Sequence, residues 1–87
     1  MRIIKTKDFD KTFAKLAVNI KQTYEKQENR FIGDCHDSRL HIKKIKSLKY
    51  AFSFRITRRY RAFFYFQTQD TAIFFDIGHR KDIYKNS

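Results

Sequence analysis

Apolar residues in the first third of the chain recur every three or four positions, which is the repeat of an amphipathic helix. The positions are Phe9, Phe13, Leu16, Ile20 and Tyr24, with Phe31 a further seven along. Thr6 or Asp8 could cap this helix by accepting a hydrogen bond from a free backbone N–H. One long helix and a helical hairpin broken near Asn19 both satisfy the pattern, and the hairpin is the preferred interpretation. Residues 2 to 5 predict a short strand before it.

The middle of the chain, residues 33 to 48, follows no single repeat. The stretch from Gly33 to Ser38 mixes small, polar and titratable residues, which predicts a loop that ends the helical half. In the segment from Leu40 to Leu48, Ile42, Ile45 and Leu48 are three apart, and this spacing suits either one helical turn or an irregular crossing loop. The lysines of this segment stay in water in both cases.

The second half of the chain changes to a repeat of two. From Leu48 to Thr57, apolar residues alternate with the Lys, Ala, Ser and Arg at positions 49, 51, 53 and 55. This alternation predicts a strand with one buried face and one open face that carries cations. Two more strands, over residues 60 to 67 and 71 to 77, complete an antiparallel meander. The predicted fold is therefore α+β, with an N-terminal strand and a helical hairpin packed on an antiparallel sheet.

The length and net charge of the chain narrow the classes of function that it can have. Its 87 residues predict one domain, spanning 1 to 87, with a single small site. The formal net charge of +11 raises the energy of the compact state through self-repulsion, so an anionic partner is expected. Nucleic acid is the leading candidate, because each Lys or Arg that docks on a phosphate releases counterions. An anionic membrane surface and an acidic protein are the alternatives.

The cysteine count and the N-terminus indicate a compartment. Cys35 is the one cysteine of the chain, so no intramolecular disulfide can form, and nothing resembles a secretory signal. No apolar run reaches the roughly 18 residues that span a bilayer. We therefore expect a cytoplasmic protein.

Candidate chemistry concentrates in the C-terminal stretch from Gly78 to Tyr84. Gly78 would allow a sharp change of direction after the last strand. His79 titrates near neutrality and can give or take a proton, and Arg80 can hold two phosphate oxygens. Tyr84 can stack on an unpaired base. Each of these residues alone would be ordinary, so the inference depends on the cluster.

A metal site is not predicted. Cys35, His36 and His41 are close in sequence, but one Cys and two His without a second Cys pair fall short of a structural zinc pattern. We expect neither a metal nor a small-molecule cofactor.

Three segments resemble the C-terminal half of RelE/ParE superfamily toxins in order and spacing, over residues 40 to 84. The segments are Tyr50-Ala51-Phe52-Ser53-Phe54-Arg55-Ile56, Tyr60-Arg61-Ala62-Phe63-Phe64-Tyr65 and Ile77-Gly78-His79-Arg80-Lys81-Asp82-Ile83-Tyr84. The resemblance implies a RelE-like microbial ribonuclease fold and a toxin of a type II toxin-antitoxin pair. Such a toxin enters the ribosomal A site and cleaves mRNA without a metal, and its natural partner is an acidic antitoxin.

The resemblance also implies roles for single residues. Arg61 matches the family's phosphate-stabilising arginine, and Arg80 matches the arginine taken as leaving-group acid or charge stabiliser. Tyr84 matches the tyrosine that orients the RNA, and His79 lies where relatives carry His or Lys. Further contacts to mRNA and rRNA are expected from a wider set of basic residues. This set comprises His41, Lys43, Lys44, Lys46, Lys49, Arg55, Arg58 and Arg59.

One departure from the family pattern concerns the general base. RelE has two lysines where this chain has Ala51 and Ser53, so the usual base is missing from its usual place. The replacements considered are Lys44, Lys46, Lys49, Arg55, His41 and His79. His79 is preferred, because a lysine would need a lowered pKa to accept a proton near neutrality.

Two other functions remain open. A ParE-like protein with this fold would inhibit DNA gyrase without cutting RNA. Alternatively, the chain could be an RNA-binding or ribosome-binding module that has lost catalysis, which the missing lysines make credible. His79, Arg80 and Tyr84 favour the RNA-cleaving branch.

Overall fold

The computed structural model describes residues 1 to 79, and the described residues form two α-helices, a 3-10 turn and five strands. No helix in this part of the chain is long and apolar enough to cross a membrane. In chain order the elements are β1 (Arg2–Lys5), α1 (Lys7–Ala14), α2 (Val18–Gly33), the 3-10 turn (Ser38–Leu40), β2 (Lys43–Lys44), β3 (Ala51–Arg55), β4 (Tyr60–Thr68) and β5 (Thr71–His79).

The predicted helical hairpin is confirmed. Thr6 caps α1, since its side-chain oxygen accepts a hydrogen bond from the backbone N–H of Phe9 at 3.2 Å. The break between the helices lies at residues 15 to 17, a few residues before the expected Asn19. The second helix then continues through Gly33, so the predicted loop is shorter than expected and begins at Asp34.

The strands form one mixed sheet in the order β1-β5-β4-β3-β2. The predicted meander of β3, β4 and β5 is antiparallel, whereas β1 pairs parallel to β5. The α+β class is therefore confirmed, with one parallel pair that the alternation pattern could not reveal. The short edge strand β2 was not predicted, because two consecutive lysines show no alternation of apolar and polar residues.

The main core lies between the helices and one face of the sheet. Phe9, Tyr24 and Phe31 come from the helices and are almost fully buried. They meet sheet residues at ring-centroid distances of 4.9 to 6.1 Å, as in the Phe31 and Phe64 pair and the Tyr24 and Phe54 pair. Buried rings at these separations supply most of the apolar burial of so short a chain.

A bulge in β5 sets which residues face the helices. Phe63 pairs with Asp76 and Phe64 pairs with Phe74, so Phe75 is the extra residue. As a result, Phe74 and Ile77 both belong to the main core although they are three residues apart.

The opposite face of β3 is not open, and the prediction of an open face is wrong at two positions. Ala51 and Ser53 are both 0% exposed. The segment before β3 folds back over them, where Ile45 and Leu48 pack with Ala51 and Phe63 in a second small core. Lys49 also departs from its prediction, because it lies in the turn before β3 rather than on the strand.

Gly78 also differs from its sequence interpretation. It lies inside β5, paired with Arg61, and no described glycine has a positive φ. The strand therefore runs straight through Gly78 to His79. Because Gly78 has no side chain, the position on β5 that pairs with Arg61 contributes only backbone.

The side chain of Gln27 joins α2 to two other parts of the molecule. Its Nε2 donates to the backbone oxygens of Arg39 at 3.0 Å and Arg55 at 2.6 Å. Its Oε1 accepts from Nη1 of Arg30 at 2.8 Å. Gln27 is buried, so these bonds satisfy an amide that would otherwise be costly to remove from water. They fix the loop that leads to His41 and the end of β3.

Replacing Gln27 by Leu is expected to lower the free energy of unfolding by about 1 to 3 kcal/mol, because two buried carbonyls lose their donor. Chemical denaturation measures this change. Gln22→Leu, at an exposed position of the same helix, is the control and should stay within about 0.5 kcal/mol of the parent. Equal effects of the two substitutions would contradict the role assigned to Gln27.

Candidate nucleic-acid interface

Four of the predicted RNA-contacting arginines lie at one end of the sheet. Arg55 ends β3 and pairs in register with Arg61 near the start of β4. Arg58 and Arg59 are exposed in the turn that joins these strands. We call this group, Arg55, Arg58, Arg59 and Arg61, the arginine end. The turn itself is ordered by Thr57, whose Oγ1 accepts from the backbone N–H groups of Arg59 and Tyr60 at 3.3 and 3.2 Å.

Arg61 is buried, with a side chain on the face opposite the helices and only 4% exposed. Its Nε donates to Oγ of Ser53 at 2.8 Å, and its Nη2 donates to the backbone oxygens of His41 at 2.7 Å and Ser53 at 3.3 Å. A buried guanidinium needs such bonds, since an unpaired buried charge is costly. These three contacts hold its plane in one orientation between β3 and the segment that carries His41.

His41 has an unusual backbone next to this arginine. Its φ of 48° and ψ of 53° place it in the left-handed region, and no other described non-glycine residue has a positive φ. Histidine tolerates this conformation better than most residues, but it still costs energy. The backbone oxygen of His41 accepts from Arg61, while the residue as a whole is exposed. The backbone of His41 is thus fixed next to Arg61, while the residue is exposed to solvent.

Arg55 adds a second guanidinium to the same face. Its Nε is buried and has no hydrogen-bond partner among the described residues. Arg55 and Arg61 are directly paired across two strands, where like charges destabilise a sheet. Gly78 pairs with Arg61 on its other side, so no side chain of β5 fills the space there. Two adjacent guanidiniums on one face are suited to bind an anionic oxygen.

His79 does not join this group. It pairs with Tyr60, and the two rings are in contact at 5.4 Å between centroids. Tyr60 packs against the main core on the helix side, whereas Arg61, the next residue along, points to the other face. Because neighbouring residues of a strand alternate between faces, His79 lies on the face opposite Arg61.

The four predicted lysines lie in two places. Lys43 and Lys44 form the edge strand β2, beside Ser53 and Phe52. Lys46 and Lys49 lie in the connection that leads to the start of β3, and we call these two residues the lysine end. All four lysines are exposed. The length of β3 separates the lysine end from the arginine end by about 13 Å, at roughly 3.3 Å per residue.

Two predicted site residues, Arg80 and Tyr84, lie outside the described residues. Among residues 1 to 79, no group of three or more His, Cys, Asp and Glu side chains could hold a metal ion. His36 and His41 line an open cavity of about 340 Å³ together with Asp37 and Cys35.

Two carboxyl groups have shifted pKa values. Hydrogen bonds from Arg39 lower the pKa of Asp37 to about 2, and this pair orders the 3-10 turn that precedes His41. Burial raises the pKa of Asp76, with a smaller contribution from Asp8, and the backbone N–H of Ile77 acts in the opposite direction. Asp76 pairs with Phe63, two positions along the strands from the Arg61 and Gly78 pair.

Comparison with solved structures identifies the architecture. A RelE in the RelB-RelE antitoxin-toxin complex from Methanococcus jannaschii is 25% identical, with a TM-score of 0.77 over 95% of this chain and 96% of that chain. The chain has the RelE/ParE toxin fold. The resemblance of its C-terminal half to this superfamily is thereby confirmed. No protein-family model and no curated protein sequence matches the chain.

More distant RelE-like structures show the same fold. YafQ from E. coli strain BL21(DE3) is 14% identical, with a TM-score of 0.77 over 97% of this chain and 99% of that chain. A YoeB/ParE toxin from Agrobacterium tumefaciens is 10% identical, with a TM-score of 0.75 over 91% of this chain and 98% of that chain. At these identities the likeness concerns the fold alone.

The sequence pattern missed two features of the candidate site. Ser53 was read as a residue on an open strand face, but it is the buried acceptor of Arg61. Nothing in the sequence indicated the left-handed backbone of His41. The one available signal was a small polar residue on β3 placed diagonally to a charged residue on β4, and this placement is evident only when the register is known.

Ser53→Ala is expected to lower the free energy of unfolding by about 1 to 3 kcal/mol, because a buried charged donor loses an acceptor. Urea unfolding followed by circular dichroism gives the value. Ser47→Ala, at an exposed position before β3, is the matched control. A change no larger than that of the control would mean that the Ser53 bond does not hold Arg61.

Asp76→Asn is expected to change how stability depends on pH. Below the ordinary aspartate pKa of about 4 the carboxyl is protonated in both states. As pH rises, the unfolded carboxyl ionises first, because the folded pKa is raised, so the parent loses stability until the folded pKa is passed. The Asn variant lacks this loss. A difference in unfolding free energy between the parent and Asp76→Asn that is constant with pH would contradict the raised pKa of Asp76. Asp70→Asn, at an exposed turn, is the control.

Proposed function

We propose that the chain is the toxin of a type II toxin-antitoxin pair and acts as a metal-independent endoribonuclease on mRNA at the ribosome. The observation that carries the proposal is the in-register pairing of Arg55 with buried Arg61, beside the exposed His41. Two guanidiniums on one face can stabilise charge that develops on a phosphate. The RelE-like fold and the net charge of +11 support the same substrate class.

The proposed reaction is attack by the RNA's own 2′-hydroxyl on the adjacent phosphorus. A base takes the 2′-hydroxyl proton, the new P–O bond forms, and the bond to the 5′-oxygen breaks. An acid then protonates the departing 5′-oxygen, which leaves a 2′,3′-cyclic phosphate and a 5′-hydroxyl. No metal or cofactor is required. Arg61 and Arg55 would stabilise the phosphate, and Arg80 and Tyr84 keep their predicted roles as charge stabiliser and RNA-orienting ring.

His41 is the general base that this arrangement favours, in place of the preferred His79. Its backbone oxygen contacts Arg61 at 2.7 Å, whereas His79 lies on the other face of the sheet. Its imidazole makes no hydrogen bond to the described residues that would hold it away from a substrate. An exposed imidazole can reach the 2′-hydroxyl of a bound RNA, which a general base must do.

The proposed partner is an acidic cognate antitoxin. The Methanococcus jannaschii RelE was crystallised with the antitoxin RelB, which supports a partner of this kind here. Between Ser38 and Gln69 the chain has nine Lys and Arg residues and no Asp or Glu. An acidic chain that covers this stretch would neutralise the cations that RNA needs. A cytoplasmic location follows from the proposed ribosomal substrate.

A catalytically impaired RNA-binding or ribosome-binding module is the second candidate. Ser53 and Ala51 are buried, so no side chain at the family's lysine positions can reach a substrate. If His41 does not act as a base, the same basic surface would bind RNA and leave it intact.

The three histidines of the chain separate these functions. Programmed ribosomes would be incubated with the parent, His41→Ala, His79→Ala and His36→Ala, and RNA 5′ ends would be mapped across a range of pH. His41→Ala is expected to slow cleavage by about 10² to 10⁴, the usual contribution of a general base, and to remove the pH dependence near neutrality. His36→Ala, in the same loop but without a contact to Arg61, is the control.

Several outcomes would contradict the proposal. Intact RNA with the parent protein on ribosomes, together with tight ribosome binding, would favour the non-catalytic module. Gyrase cleavage complexes with intact RNA would favour the ParE-like function. Loss of cleavage in His79→Ala but not in His41→Ala would restore His79 as the base.

A further inference from the structure

An exposed aromatic residue lies at the far end of the sheet from the arginines. Tyr50 is 60% exposed, although the strand that follows it is buried. Its ring contacts that of Tyr65 at 5.4 Å between centroids, with the two planes nearly perpendicular at 83°. Tyr50 therefore belongs to neither core, and most of its ring faces solvent.

Tyr50 is part of a row of rings on the face that carries Arg61. Tyr65 pairs with Ala51 and Ile73, four residues along β4 from Arg61. Its ring contacts that of Phe75 at 5.9 Å. We call Tyr50, Tyr65 and Phe75 the aromatic platform. Tyr65 and Phe75 are only half-buried, so the platform is a continuous partly exposed aromatic surface.

The platform is fixed in place by the structure beneath it. The connection before β3 is closed by backbone hydrogen bonds from Ile45 to Ala51 at 3.0 Å and from Ala51 to Leu48 at 2.9 Å. Ile45, Ala51 and Phe63 form the small core under this connection. The position of Tyr50 is therefore set by its packed neighbour Ala51, and a ligand would not have to order it.

The charge around the platform is positive. Lys46 and Lys49, the lysine end, are exposed on the same connection as Tyr50. The whole stretch from Ser38 to Gln69 contains no acidic residue. Exposed rings next to cations are the two elements by which proteins hold single-stranded nucleic acid, since bases stack on the rings and phosphates meet the lysines.

We propose that the aromatic platform is a stacking subsite for an unpaired base of single-stranded RNA. The subsite rests on the proposed function, because it extends the RNA path from the arginine end by about 13 Å along β4. The perpendicular rings of Tyr50 and Tyr65 form a corner in which one ring meets the face of a base and the other meets its edge. Stacking of this kind tolerates any base, so the subsite contributes affinity rather than sequence preference.

The test is binding of a short single-stranded RNA whose 2′-hydroxyls are all methylated, so that it cannot be cut. Fluorescence anisotropy is expected to show about tenfold weaker binding for Tyr50→Ala and near-parent binding for Tyr50→Phe, which keeps the ring. Phe66→Ala is the matched control, since Phe66 is 40% exposed on the helix-side face. Lys49→Gln should reduce the salt dependence of binding, whereas Tyr50→Ala should not.

Specific results would overturn the subsite. One is an equal loss of RNA affinity in Tyr50→Ala and Phe66→Ala. Another is an equal loss of affinity in Tyr50→Ala for double-stranded RNA of the same sequence. A third is a Tyr50→Ala variant that binds an acidic peptide more weakly but binds RNA as the parent does. Cleavage of unmodified RNA on ribosomes, measured in parallel, keeps the two proposals apart. Tyr50-dependent binding without cleavage would reject the endoribonuclease and retain the subsite. Cleavage with no effect of Tyr50→Ala on binding would retain the endoribonuclease and reject the subsite.

Discussion

The buried guanidinium of Arg61 is the contact on which the arrangement of the candidate site depends. It joins β4 to Ser53 on the neighbouring strand β3 and to the backbone of His41, which lies 20 residues earlier in the chain. A charged group can be withdrawn from water only if hydrogen bonds replace its hydration, so these acceptors and the arginine require each other. The loop that carries His41 is held at the sheet for the same reason.

A second polar contact supports the site from the opposite side of the sheet. Gln27 of α2 binds the backbone of Arg39, two residues before His41, and that of Arg55. The helix layer therefore constrains Arg55, which pairs with Arg61, and the segment that leads to His41. The buried polar side chains of Arg61 and Gln27 therefore set the geometry of the site. The aromatic core supplies the stability that offsets the cost of burying them.

The sequence predicted the features that follow a period. The spacing of Phe9, Tyr24 and Phe31 located the helical core, and the alternation around Phe54 and Phe64 located the central strands. The sequence could not reveal what depends on contacts between distant segments. Ser53 looked exposed because alternation cannot show that the side chain of Arg61 packs against it. His79 was preferred as the general base, and the sequence does not show that it lies on the face of the sheet opposite Arg61.

The central claim is that the paired arginines contact RNA phosphate, and side-chain NMR tests it most directly. The Nε–H signals of Arg55 and Arg61 would be followed in ¹⁵N-labelled protein during titration with the methylated single-stranded RNA. We expect both signals to shift with the occupancy of the RNA. Shifts confined to the exposed Arg58 and Arg59, with Arg55 and Arg61 unchanged, would contradict the account and leave Arg61 a purely structural residue.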